Sequence, residues 1–273
     1  MEIEIFSLII FFLITGIFSG LFAGLLGVGG GIITVPISYF VLLQQGYSIE
    51  VVMHVAIASS LAIILFTSIS SIRSHLKLNN VDKMVIKKWY FGIIVGSIIG
   101  SFLASKINGE VLIFIFIILA IGISLNMFFQ KKIKIIRDDI PDSLLINFFI
   151  SGNIGFLSAL IGIGGGSFSV PILSIFSKKM HQAVGTSAVL GFFIALPGAI
   201  SYVFLGINIE NLPPYSLGYV NLLIVFLVTS TSVFTANIGA KISSKIDKDN
   251  LKKIFAIFLL CTCVSLVIEH FII

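Results

Sequence analysis

Gly27-Val28-Gly29-Gly30-Gly31 stands inside an apolar stretch, with Pro36 five residues beyond it. Glycine loses more conformational freedom on ordering than any other residue, so so dense a run breaks a helix that would otherwise pass through it. The pattern returns as Gly162-Ile163-Gly164-Gly165-Gly166, with Pro171 five residues beyond. At an offset of 135 residues the two stretches share all four glycines and the pairs Val35-Pro36 and Val170-Pro171. A backbone break copied into both halves of an apolar chain is the pattern of a transporter whose site lies between two repeats.

The rest of the chain fits a membrane. It has 273 residues, of which 58% are hydrophobic and 11% charged; a soluble domain carries about 25% charged residues. Ten apolar segments can be marked, at 6–26, 32–43, 51–72, 85–105, 111–129, 144–161, 168–176, 183–205, 217–238 and 254–272. Eight reach or approach the roughly 20 residues that cross a bilayer as helix. The segments 32–43 and 168–176 are too short at about 1.5 Å per residue. Each is read as the second limb of a broken-helix unit, a hairpin or a re-entrant loop. The first segment follows Glu2 and Glu4, not a basic leader, and carries the glycine motif, so it is expected to be retained. Cys261 and Cys263, two apart, fit neither a redox pair nor a zinc site and read as small buried apolar residues.

The repeat extends beyond the glycines. His54-x-Ala56-x-Ala58-Ser59-Ser60 answers to His181-x-Ala183-x-Gly185-Thr186-Ser187, and Gly100 with Lys106 answers to Gly239 with Lys245. The chain therefore divides into a first membrane repeat at 1–129, a charged linker at 130–142 and a second repeat at 143–273. Basic residues set the topology. Arg73, Lys77, Lys83, Lys87 and Lys88 surround one loop. Lys131, Lys132, Lys134 and Arg137 lie in the linker, Lys178 and Lys179 follow the second short segment, and Lys241, Lys245, Lys248, Lys252 and Lys253 precede the last one. These are 16 of the 17 basic residues, Lys106 being the other. Placing them in the cytoplasm puts both termini outside and makes the halves inverted repeats, each a broken-helix unit plus three transmembrane helices. The expected fold is thus all-α, polytopic and multi-pass in the plasma membrane, with Trp89 and Tyr90 as an interfacial anchor. The +5 net charge belongs to topology and gives no reason to expect nucleic acid.

The chemistry follows from the breaks. Backbone without helical partners persists in a membrane only where protein or a wet cavity covers it. The short helix after each break begins with unpaired N–H groups and the positive end of its dipole, which together suit an anion. Gly27, Gly29, Gly30, Gly31, Gly162, Gly164, Gly165 and Gly166 are the candidate binding backbone. Ser59, Ser60, Thr186 and Ser187 are candidate hydroxyl donors, because both pairs follow the shared His-x-Ala. His54 and His181 are candidate proton-linked groups. Gly16, Gly20 and Gly24, spaced by four and answered by Ser151, Gly155 and Ala159, read instead as a close-packing stripe. No lysine completes a phosphate-binding loop, and Ile32 and Ser167 stand where a dinucleotide fingerprint needs glycine. Neither a metal, a cofactor nor an enzyme activity is expected. The partners expected are a small anion and the lipid bilayer, with room for a homo-oligomer.

Gly20-x3-Gly24-x2-Gly27-x-Gly29-Gly30-Gly31-x4-Pro36 and its copy, each followed by a small-residue and hydroxyl segment, resemble the TauE/SafE family of sulfite and organosulfonate exporters over nearly the whole chain. The resemblance implies a permease for small sulfur-containing or carboxylate anions, with export the usual direction. The first half departs from the pattern, with Ala58-Ser59 where the second keeps Gly185-Thr186. That departure implies a weaker first half-site. An anion channel on the same scaffold is the competing reading.

Overall fold

The computed structural model describes residues 2–129, 135, 137–243 and 248–271. Linker residues 130–134 and 136, and Lys245, lie outside the described residues, so the topology reading is not examined there. Ten α-helices follow one another: α1 (Glu2–Leu26), α2 (Gly31–Gln44), α3 (Ile49–Lys77), α4 (Lys83–Ala104), α5 (Gly109–Phe128), α6 (Leu144–Ile161), α7 (Gly166–Ile175), α8 (Met180–Gly206), α9 (Leu222–Ile242) and α10 (Lys248–Phe271). Eight of them are long and apolar enough to cross a membrane, and α2 and α7 are the short ones. Before α9 a small antiparallel ribbon, β1 (Ser216–Leu217) with β2 (Val220–Asn221), interrupts the helices. The apolar pattern alone did not reveal it.

The glycines end the helices where expected. Gly27, Gly29, Gly30 and Gly162 all take positive φ, between 69° and 78°, which a side chain would oppose. Thus α1 stops at Leu26 and α2 restarts at Gly31; α6 stops at Ile161 and α7 restarts at Gly166. α3 and α8 pack against each other at the centre. α1 lies against α9 and α4 against α6; α3 also meets α9, and α8 meets α4. α5 meets α10, α2 lies on α3 and α7 on α8. Exchanging each of the first five helices for its counterpart five places later leaves this set of pairings intact. Of the eight long helices α3 is the most enclosed.

Small residues decide how near the outer pairs come. A Cβ at Gly20 would strike Ser232 O, and one at Gly24 would strike Ala236 O, both on the backbone of α9. On the other pair, Gly96 and Gly100 meet the carbonyls of Gly152 and Phe156, and Gly155 meets that of Ile93. Thr231 Oγ1 adds a bond to Leu13 O at 2.8 Å. Phe91, Ile99, Phe114, Phe149, Phe226 and Phe234 are exposed on the outside, an apolar surface that suits lipid.

Contacts also sort the ends of the bundle. Lys178 in the α7–α8 loop reaches Asp82 and Asp139 at 2.8 Å each, and Lys88 reaches Asp142 at 3.0 Å. Arg73, Lys77 and Lys241 share one hollow. Among the described residues, the α3–α4 loop, Asp139 and Asp142 before α6, the α7–α8 loop and the end of α9 therefore gather at one end. The start of α3, the α4–α5 loop and the ribbon meet at the other, through His54.

Two expectations are corrected. Trp89 is no interfacial anchor: it is fully buried and donates from Nε1 to Asn147 Oδ1 at 2.8 Å, whereas Tyr90 is exposed. An indole with a protein partner for its N–H gains more from packing than from an interface. Cys263 is buried as expected, but Cys261 faces outward.

Replacing Gly20 by leucine is expected to cut the yield of folded, detergent-extracted protein sharply, because the atoms struck are backbone and overpacking costs about 1–3 kcal/mol even where side chains can move. Size-exclusion profiles of the extracted variant check this. A wild-type monodisperse yield would mean that α1 and α9 can separate freely.

Candidate functional site

The two breaks cross at the centre of the bundle, backbone against backbone. A Cβ at Gly164 would strike Val28 O and come within 2.9 Å of Gly29 Cα. Gly166 faces Gly27 O, and Gly31 faces Gly162 O. Only glycine fits at such a crossing, and the tips as they stand are too close together to admit an oxyanion between them. Gly30 is held against Ser19, whose Oγ donates to Gly30 O at 3.3 Å. Gly165 lies against Ile194.

Hydroxyls of one half hold the break of the other. Ser60 Oγ on α3 donates to Gly162 O at 2.7 Å and accepts from Thr34 Oγ1 at 2.9 Å. Its counterpart Ser187 on α8 lies 2.7 Å from Val184 O and 3.3 Å from Gly27 O. The first glycine carbonyl of each break, orphaned where its helix ends, is thus met by a serine of the opposite half. Ser59 and Thr186 do something else. Ser59 Oγ accepts the backbone N–H of Asn221, and Thr186 Oγ1 accepts that of Asp82, both at 2.9 Å. Asp82 and Asn221 are themselves N-caps: Asp82 takes Met84 N and Val85 N of α4, and Asn221 takes Ile224 N of α9. Residues 82 and 221 are 139 apart, the offset already seen between Gly100 and Gly239. That spacing was the signal that could have found them.

The histidines stand away from the crossing. His54 is buried at the far end of α3, with Nδ1 2.7 Å from Glu50 O and Nε2 3.0 Å from Ala104 O, and its ring stacks on Tyr219. His181 is half-buried in the first turn of α8. Neither is brought to the glycines.

Two cavities flank the crossing. One, of about 30 Å³, is lined by Leu26, Val28, Asn126, Gly166, Ser167 and Lys252. The other, a void of only about 10 Å³, is lined by Gly27, Gly29, Thr67, Ser71, Ala188 and Gly191. The segment 26–29 is therefore the wall between them, its residues alternating from one side to the other. In the first cavity α7 presents its opening turn, and Ser167 Oγ is buried without a protein partner among the described residues. Lys252 is 5% exposed there, its Nζ 3.9 Å from Met180 Sδ. A helix N-terminus, a hydroxyl and a cation around one hollow can hold a small oxyanion. In the sequence Lys252 reads as a topological charge and Ser167 only as a misfit to a dinucleotide motif. Among the described residues no group of acidic, histidine or cysteine side chains is arranged to hold a metal.

The cap at Asp82 is braced from outside. Burial works against the Asp82 carboxylate, but bonding to Lys178 and to the Val85 and Met84 N–H groups outweighs it and leaves its pKa below the usual range. Lys178 holds Asp139 low as well. Burial opposes the Lys178 charge, yet the two carboxylates raise its pKa on balance.

The sequence model described as sulfite exporter TauE/SafE matches residues 12–266. A probable membrane transporter protein of Haemophilus influenzae is 31% identical over 267 residues, covering 97% of this chain and all of that one (100%). The probable membrane transporter protein YunE of Bacillus subtilis is 29% identical over 94% of this chain and 96% of its own length. A further probable membrane transporter protein, of Methanocaldococcus jannaschii, is 30% identical over 92% of each. No solved structure matches.

The brace at Asp82 has a pH signature. Depressed carboxylates contribute stability that is present above their ordinary pKa of about 4 and lost as pH falls through the lower folded values. Lys178, raised, contributes fully below its ordinary value of about 10.4 and loses that contribution only above it. Lys178→Met is expected to melt a few degrees below wild type at neutral pH, the two curves converging in acid below about pH 4. A gap that stays constant into acid would show that the brace adds nothing.

Proposed function

We propose an anion-export function for this chain, which belongs to the sulfite exporter TauE/SafE family and is a multi-pass membrane transporter. The cargo is a small anion of the sulfite, organosulfonate or related sulfur or carboxylate class, moved unchanged and without a cofactor. The halves act as inverted repeats in the plasma membrane, with both termini external. The observation that carries this reading is the crossing: two glycine breaks pressed together, with a small cavity holding at least one hydroxyl on either side of the segment 26–29.

The mechanism follows from that wall. Gly27, Gly29, Gly30 and Gly31 form one tip and Gly162, Gly164, Gly165 and Gly166 the other; both offer backbone N–H groups to an anion. The tips part to pass it and close behind it. Ser60 and Ser187 fix the glycine carbonyls so that the N–H groups stay turned toward the cargo, while Ser59 and Thr186 hold the starts of α9 and α4 against the central helices. Neutral hydrogen bonds of this kind contribute about 0.5–1.5 kcal/mol each. Such a cradle binds an oxyanion without the tight grip of a full salt bridge and so allows release.

Counterflow of labelled sulfite in proteoliposomes tests the reading. Uptake that saturates and speeds up when unlabelled sulfite is loaded inside is the expected result; uptake without trans-stimulation would mean a channel. In the same assay, at equal amounts of monodisperse protein, the double variant Thr186→Val with Ser187→Ala is expected to lose about ten-fold in transport, the equivalent of roughly 1.4 kcal/mol, and to melt below wild type because the bonds to Gly27 O and from Asp82 N–H are lost. Transport at the wild-type rate and affinity would place the site away from these hydroxyls.

A further inference from the structure

Hydroxyls continue along α3 past the crossing. Thr67, Ser71 and Ser74 follow at spacings of four and three, which puts them on one face of the helix. Thr67 Oγ1 lies 3.4 Å from Gly29 O and 3.2 Å from Ile64 O. Ser71 Oγ is buried, has no protein partner among the described residues, and belongs to the wall of the cavity that holds Gly27 and Gly29. One turn on, Ser74 Oγ donates to Asn237 Oδ1 of α9 at 2.6 Å. Ser74 and Asn237 line a hollow of about 280 Å³ together with Arg73, Lys77 and Lys241. Those three side chains are exposed, and no ion pair among the described residues includes them.

The repeat supplies an internal control. Carried into the other half, Thr67 becomes Ile194, Ser71 becomes Gly198, Arg73 becomes Ile200 and Lys77 becomes Phe204; Asn237 and Lys241 become Ile98 and Phe102. The nearest hydroxyls there, Ser97 and Ser101, are committed to the carbonyls of Ile194 and Ser97 at 2.7 and 2.9 Å. The same helix pairing therefore stands in the second half without a polar track. The bias of basic residues toward one face accounts for Arg73, Lys77 and Lys241 being at this end. It does not account for a buried, unpartnered serine and a threonine leading inward from them.

We propose that the hollow framed by Arg73, Lys77 and Lys241 is the anion-collecting mouth of the transport path, and that Ser71 and Thr67 pass a small oxyanion from it to Gly27 and Gly29. This rests on the anion-transport reading above. Three like charges in a concavity raise the local anion concentration while remaining solvated, so they attract without trapping. The hydroxyls then replace water around the anion as it leaves them. The ligand is a sulfite- or sulfonate-like oxyanion; a lipid phosphate shares that chemistry, and the test separates the two.

Equilibrium dialysis of the full-length protein in a neutral maltoside, with labelled sulfite, measures the mouth directly. The triple variant R73Q/K77Q/K241Q is expected to bind sulfite at least about ten-fold more weakly and to lose most of the wild-type dependence on ionic strength. The charge-keeping variant R73K/K77R/K241R, which preserves the topological signal, is expected to bind as wild type does. Sulfite bound equally by wild type and the neutral triple would overturn the proposal. So would phosphatidylglycerol occupying the three cations in a way that sulfite cannot reverse. In proteoliposomes of phosphatidylcholine, T67V/S71A is expected to slow sulfite counterflow while leaving the dialysis result unchanged; a wild-type rate would remove these hydroxyls from the path. A wild-type protein that binds sulfite through the cations yet moves no anion would refute the transport reading and leave the mouth standing.

Discussion

Backbone that leaves a helix in the middle of an apolar bundle must find partners inside the protein. Here the need arises twice, at Gly27 and at Gly162, and each half answers for the other: Ser60 of α3 bonds Gly162 O, and Ser187 of α8 reaches Gly27 O. The central packing of α3 on α8 brings those serines to the breaks. The outer pairs, α1 on α9 and α4 on α6, have their glycine stripes because the inner ends of α1 and α6 must reach the crossing. Loss of either anchoring hydroxyl would leave a carbonyl unmet where water is scarce, a penalty of about 1–3 kcal/mol.

Much of this was legible in the chain. Consecutive glycines followed by proline mark a helix break wherever they occur, because the cause is local to the backbone. Apolar length marks the spans for the same reason. The glycine stripe on α1 was also readable from its spacing of four, and Gly20 and Gly24 do lie on α9. The doubled hydroxyl pairs were readable as special but not as to role. Their partners lie 102, 160, 162 and 104 residues away, and periodicity carries no information at that range. Trp89 misled because a tryptophan beside lysines looks like an interface residue, while its partner Asn147 is on another helix. Lys252 and Ser167 were hidden behind plausible general roles, topology for one and motif failure for the other.

The halves resemble each other in what holds the breaks and differ in what surrounds them. Anchoring serines and capping residues recur in both. The cavity with Lys252 and Ser167 has Ile113 and Ile32 at the equivalent positions of the other half, and the track through Thr67 and Ser71 has Ile194 and Gly198. A duplicated scaffold thus carries two unlike polar surroundings on either side of one wall, segment 26–29. A transporter with a preferred direction can be built from equivalent halves in this way, since the repeat fixes the geometry while the unlike side chains bias entry and exit.

In the proposed transport cycle, glycine-only contact between the two breaks is what lets the wall open and close. Gly164 tests it most directly, because its φ is ordinary and an alanine there differs only by a methyl group aimed at Val28 O. Gly122 is the matched control, with nothing near its missing side chain. Sulfite counterflow should be measured for Gly164→Ala and Gly122→Ala in proteoliposomes loaded with equal amounts of monodisperse protein. Gly164→Ala is expected to lose most of its transport and Gly122→Ala to keep it. A Gly164→Ala protein that carries sulfite at the wild-type rate would contradict this cycle.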